Sequence, residues 1–163
     1  WICAPQVAPA LAHMARCGLR FDALIQPRHL GAIASIARAH PALQIVIDHV
    51  AKPRMGGGQP PLASWSRGMA DLAQLPNVWC KLSGMITEIG PSWHIDDLRA
   101  FADTVLAAFG PARLMWGSDW TVVTLAGSYT SWLAASRDLL ARLSPAEQSR
   151  IFSGSARAFY GLT

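Results

Sequence analysis

The stretch Leu43–Val50, LQIVIDHV, is a short run of branched aliphatic residues that closes on an acid and a histidine. A strand that stays apolar at successive positions is buried on both faces, which is the mark of a parallel sheet covered by helices. Three further stretches share its character: Leu19–Ile25 (LRFDALI), Asn77–Gly84 (NVWCKLSG) and Arg113–Trp120 (RLMWGSDW). Each is rich in branched or aromatic residues and bounded by a polar or turn residue. Between them, Pro27–His40, Ser64–Leu75 and Ile95–Phe109 carry apolar residues at helical spacing, and Pro41, Pro76 and Gly110 stop each helix before the next strand. Strand starts roughly 25 to 36 residues apart match the size of a βα unit. The pattern predicts an α/β fold with a parallel sheet, doubly wound or closed as a barrel. Two closing helices follow, Ser128–Leu143 and Ser144–Phe159, the second with Ser144 as N-cap and Pro145 at its first position.

Composition narrows the function classes. In 163 residues, 52% are hydrophobic and 15% charged, enough apolar side chain for one compact core over residues 1–163 and too much for a disordered chain. The net charge of +4 is scattered rather than gathered in a stripe, so no nucleic-acid partner is expected. No apolar run reaches the ~18 residues of a membrane span, and no membrane partner is expected. Cys3, Cys17 and Cys80 are odd in number, lie in apolar surroundings and lack metal-knuckle spacing, which predicts buried free thiols in a reducing compartment and a cytoplasmic location. Trp1 is not a natural start, and the chain is expected to be cut from a longer one. No G-x-G-x-x-G follows a strand, and the Gly56–Gly58 run lacks the Lys-Ser/Thr ending of a phosphate loop, so nucleotide binding has no support.

In parallel sheets the chemistry gathers at the carboxyl ends of the strands. That rim holds Asp48 or His49, Lys81 or Ser83, and Asp119. An acid and an imidazole there can pass protons or bind a metal. The same residues have plainer readings, Asp119 as a turn former and His49 as a hydrogen-bonded core histidine. Lys81, inside an apolar strand, is costly to bury unless it reaches a carboxylate or an anionic substrate.

Ile47–Pro53 (IDHVAKP), Asn77–Gly84, Arg113–Trp120 and Phe152–Leu162 (FSGSARAFYGL), taken in order, resemble the amidohydrolase-related family of sugar lactonases, which includes fuconolactonase-like and pyrone-dicarboxylate-lactonase-like enzymes. The resemblance runs over nearly the whole chain. It implies a (β/α)₈ barrel of TIM-barrel type, of which this chain would supply the C-terminal half, strands five to eight. The H-x-H pair of the family's first strand does not occur here. By the same resemblance, Asp119 and His49 are the catalytic candidates, Asp119 as general base toward water and His49 as the group that polarises a lactone carbonyl or holds a metal. Lys52, Lys81 and Trp120 are the candidates for substrate contact. Thr121 stands where the family usually has proline, and Ser155 where Asn or Thr is common.

The implied reaction is hydrolysis of the lactone of a sugar acid or related carboxylate, a small-molecule substrate. One divalent metal, zinc, is implied for the complete enzyme, with His49 and Asp119 as its ligands. Two ligands fall short of the three a catalytic zinc takes, so this chain alone is expected to hold metal weakly or not at all. Two other readings compete: an amidohydrolase-type decarboxylase of an aromatic acid, and a non-catalytic half barrel that completes its fold with a partner. A half barrel leaves two sheet edges and an apolar inner face open, which predicts a homodimer through those edges.

Overall fold

The structure is a computed structural model that describes residues 1–163. After a short first helix, α1 (Ala8–Arg16), four strands follow: β1 (Arg20–Ala23), β2 (Gln44–Ile47), β3 (Val78–Leu82) and β4 (Leu114–Trp116). They form one sheet in the order β1-β2-β3-β4, every neighbouring pair parallel, with Asp22 beside Val46, Val46 beside Trp79, and Lys81 beside Met115. The connections are α2 (Leu30–Ala39), α3 (Ala63–Ala73), then α4 (Met85–Ile89) with α5 (Ile95–Arg113). This is the α/β arrangement that the apolar runs predict, and it amounts to about half of a (β/α)₈ barrel. The strands are shorter than the runs because the last residues of each run already lie in the following turn or loop.

Alternation along the strands sorts the side chains into two faces. Ile45, Ile47, Val78, Cys80, Leu82 and Leu114 are buried against the connecting helices. That face is the main core: α2 contributes Ile33, α3 Trp65 and Met69, and α5 Leu98, Phe101 and Val105. Of the three cysteines expected to be buried only Cys80 is, Cys3 and Cys17 being exposed on the N-terminal segment outside the sheet; burial pushes the Cys80 thiol well above its usual range, so it remains a protonated apolar side chain. Two polar groups tie the lower ends of the strands. The Asn77 amide donates to the carbonyls of Ala37, His40 and Leu43, linking the end of α2 to the start of β2. The Arg113 guanidinium donates to the carbonyls of Ala73, Leu75 and Val78, closing off the last turn of α3. At Gly110 the helix breaks, with φ 63° and ψ 173°, just before Pro111, and the chain turns into β4. Only glycine adopts such a conformation freely.

The other face would line the barrel interior, and here the structure differs from expectation. The last segment consists of α6 (Tyr129–Leu139), α7 (Pro145–Ser149), a wide turn at Arg150–Gly154, and α8 (Ser155–Tyr160). Ser144 caps α7 as expected, accepting from the Glu147 backbone N–H while the Glu147 carboxylate accepts from the Ser144 backbone. The final helix then crosses the inner face. Phe159 is buried with Val46 and Met115, and Trp79 and Tyr160 pack around them. Arg20 donates to the Phe159 carbonyl and the Tyr160 hydroxyl donates to Asp22, fixing α8 to the far strand. The inner face is therefore covered, contrary to the expectation of an open one, because apolar side chains on a sheet face find the nearest apolar helix available. The edges of β1 and β4 remain unpaired. No helix is long and apolar enough to cross a membrane.

Candidate active site

The rim where the strands end at their carboxyl side carries an unusual backbone. After Ile47 the chain leaves β2 in a tight turn, and His49, Val50, Ala51 and Lys52 all have positive φ, between 46° and 62°. Asp119 also has positive φ, 55°. Non-glycine residues avoid this region, β-branched ones most of all, and hold it only where surroundings over-determine it. Those surroundings are visible. The Trp65 indole N–H donates to the Val50 carbonyl at 2.9 Å, gripping the turn after β2 from α3. The Trp132 indole N–H donates to the Gly117 carbonyl at 2.9 Å, gripping the loop after β4 from α6.

Between these two gripped loops lie His49 and Asp119. The His49 Nε2 atom is 3.6 Å from Asp119 Oδ1. On its other side, His49 Nδ1 meets the hydroxyl of Ser83, just past β3, at 2.8 Å. Two glycines make room. A Cβ on Gly84 would sit 2.5 Å from His49 Nδ1, and one on Gly117 would sit 3.0 Å from the Ser83 Cβ. The imidazole thus fits a slot that only missing side chains leave open. Asp119 receives a hydrogen bond from the Thr87 hydroxyl of α4 at 3.3 Å. Burial pushes His49 toward the neutral form; the carboxylates of Asp119 and Asp48 oppose this without cancelling it. The pair opens on a cavity of about 290 Å³, shared with Lys81, Trp116, Trp120 and Tyr160.

Of the residues expected at the site, His49, Asp119, Lys81 and Trp120 all line this cavity, and Trp120 is two-thirds exposed. Lys81 is not free for a substrate, however. Its ammonium lies 2.6 Å from Asp22 and 2.8 Å from Asp48. Burial alone would lower its pKa, but these carboxylates outweigh burial and hold it above the usual lysine range. Tyr160 joins the same group, and burial together with its bond to Asp22 pushes its hydroxyl up to about 12. Lys52 turns away from His49 and pairs with Glu88 of α4, lining a neighbouring hollow of about 390 Å³ with Arg28 and Arg54. Thr87, Glu88 and Tyr160 carry no signal in the sequence: α4 is a five-residue helix inside a loop, and nothing in the C-terminal helix pattern shows which face of the sheet it covers.

No cluster of three or more His, Cys, Asp or Glu side chains is placed to hold a metal. His49 and Asp119 supply two donors, and a catalytic zinc needs a third. The residues of this chain therefore do not make a zinc site by themselves.

The family model described as Amidohydrolase matches residues 1–162. The chain belongs to the amidohydrolase family. An L-fucono-1,5-lactonase of Burkholderia ambifaria is 46% identical over 98% of this chain, which spans 56% of that enzyme. A solved amidohydrolase from Burkholderia multivorans with bound zinc superposes with a TM-score of 0.90 at 35% identity, over 99% of this chain and 59% of that one. A structure from Pseudomonas putida, described as a 2-pyrone-4,6-dicarboxylic acid hydrolase, gives 0.70 at 29% identity, over 99% and 58%. The chain thus spans little more than half the length of these amidohydrolases.

Proposed function

We propose that the complete polypeptide hydrolyses the lactone of a sugar acid or a related carboxylate. The observation that carries the reading is the His49–Asp119 pair, 3.6 Å apart at the carboxyl rim of a parallel sheet. The likeness to an L-fucono-1,5-lactonase supports the choice of substrate class.

In this reading Asp119 is the general base. It takes a proton from water as the oxygen attacks the lactone carbonyl carbon, and the carbonyl π electrons move onto oxygen. His49, held neutral by burial, donates a hydrogen bond to that developing oxyanion. The intermediate collapses by breaking the ring carbon–oxygen bond, and the proton held on Asp119 passes to the departing alkoxide. The product is the open hydroxy acid, with no carbon lost. Trp120 offers a flat apolar wall for the substrate ring. Lys81 braces Asp48 and Asp22 across the floor, and Lys52 with Glu88 borders the site from the side. A divalent metal in the complete enzyme would use His49 and Asp119 together with donors from outside these residues and would supply Lewis-acid polarisation of the carbonyl. A cytoplasmic setting suits the three unpaired thiols.

The test is product analysis with the full-length polypeptide. Incubation with L-fucono-1,5-lactone and with a dicarboxylate lactone should release acid without carbon dioxide. Carbon dioxide from an aromatic acid, with no lactone opened, would replace this reading by decarboxylation.

A further inference from the structure

The Ser83 hydroxyl is the hydrogen-bond partner of one ring nitrogen of His49. Ser83 is 2% exposed, at the wall of the same cavity as His49, and its hydroxyl makes one hydrogen bond within the protein, to His49 Nδ1 at 2.8 Å. A neutral imidazole holds one N–H, so the shared bond runs in one of two directions. If Nδ1 carried the proton, it would donate to Ser83 and leave the hydroxyl proton with no acceptor from the protein. Nε2 would then turn a lone pair toward the Asp119 carboxylate 3.6 Å away. Both features are unfavourable, the first as a donor without a protein partner and the second as a repulsion between electron pairs. If Ser83 donates to Nδ1, both faults vanish: the hydroxyl proton is satisfied and an Nε2–H faces the carboxylate.

The surroundings keep this geometry. The Gly84 and Gly117 backbones flank the imidazole and Ser83, with no space for a Cβ at Gly84. The Trp65 grip on Val50 fixes the turn that carries His49. The nearby charged groups from the packed elements are Asp48 and Lys52 on the same turn, Lys81 of β3 and Asp119 beyond β4. None of them lies within hydrogen-bond distance of Nδ1.

We infer that Ser83 is a positioning residue that holds His49 in the Nε2–H tautomer, so that the imidazole presents a hydrogen-bond donor to the cavity. The inference rests on the lactonase reading for its kinetic meaning, since a donor at Nε2 is what an oxyanion needs. It does not rest on that reading for its spectroscopic meaning. The same tautomer leaves Nε2 without a lone pair for a metal; ligation there would require the Ser83 bond to reverse.

The deciding experiment is nitrogen-15 NMR of histidine-labelled full-length polypeptide as purified, with the His49 signals assigned by their loss in His49→Gln. The expected result is a protonated, pyrrole-like Nε2 and an unprotonated, pyridine-like Nδ1. In Ser83→Ala the two shifts should move toward each other as the bias is lost, and kcat should fall roughly 10- to 100-fold with KM little changed, the usual size of a lost supporting contact. A pyrrole-like Nδ1 in the unaltered protein overturns the inference, as does a Ser83→Ala spectrum identical to it. Failure of every lactone to react, with the predicted spectrum intact, would count against the proposed function and leave the role of Ser83 standing.

Discussion

His49 lies with its ring against Gly84, and that contact makes the glycine as important to the site as the histidine. In Gly84→Ala the new methyl would occupy the position 2.5 Å from Nδ1, on a backbone with φ of +62°. The left-handed backbone costs ~1–2 kcal/mol without glycine, and pushing the ring aside adds about 1–3 kcal/mol. Chemical denaturation should report a loss of roughly 2–5 kcal/mol, with activity falling alongside. Asp119→Asn tests a different property. The amide keeps size and shape but cannot take a proton, so kcat should drop about 10²- to 10⁴-fold while the unfolding midpoint barely moves. Acid sensitivity follows from His49. Its folded pKa lies below its ordinary 6.5, so as pH falls the unfolded chain binds the proton first and stability declines. The decline begins near pH 6.5 and ends once pH passes below the folded value. Denaturation curves across that window should be flatter for His49→Gln than for the unaltered protein.

At the scale of elements, the helix over Ser155–Tyr160 is the part whose placement matters most. It covers Val46 and Met115, which would otherwise face solvent in an open sheet. Phe159→Ala should cost about 3–5 kcal/mol, and binding of a hydrophobic dye should rise as the inner face opens. Tyr160→Phe removes the hydroxyl's bond to the partly exposed Asp22 and its contact with the Lys81 ammonium, and should cost about 1 kcal/mol. The sequence shows the four strands and their helices clearly, because apolar runs and their Pro or Gly stops are local signals. It shows less at the places where tertiary contacts override local preference. Asp48–Val50 reads as the end of a strand, yet His49–Lys52 form a left-handed turn held by Trp65 from a distant helix. Ser83 is legible as a rim residue, but its partnership with His49 depends on two glycines and a register that only the folded chain reveals. Lys81 is expected to be paired or bound to substrate, and the presence of Asp22 two strands over decides for pairing.

At the scale of the whole molecule, the chain provides one rim of four parallel strands and the His49–Asp119 pair, and it spans little more than half of the amidohydrolases it matches. Two unpaired edges, on β1 and β4, remain as hydrogen-bonding surfaces even though the inner face is covered. The polypeptide of residues 1–163 on its own should therefore self-associate, and light scattering should give a mass above that of the 17.6 kDa chain. The central claim concerns chemistry, and one measurement addresses it most directly: the rate of L-fucono-1,5-lactone opening by the full-length polypeptide, before and after Asp119→Asn. The account predicts hydrolysis to the hydroxy acid that is largely lost in the variant while the fold is retained. Equal rates in the two proteins would contradict it.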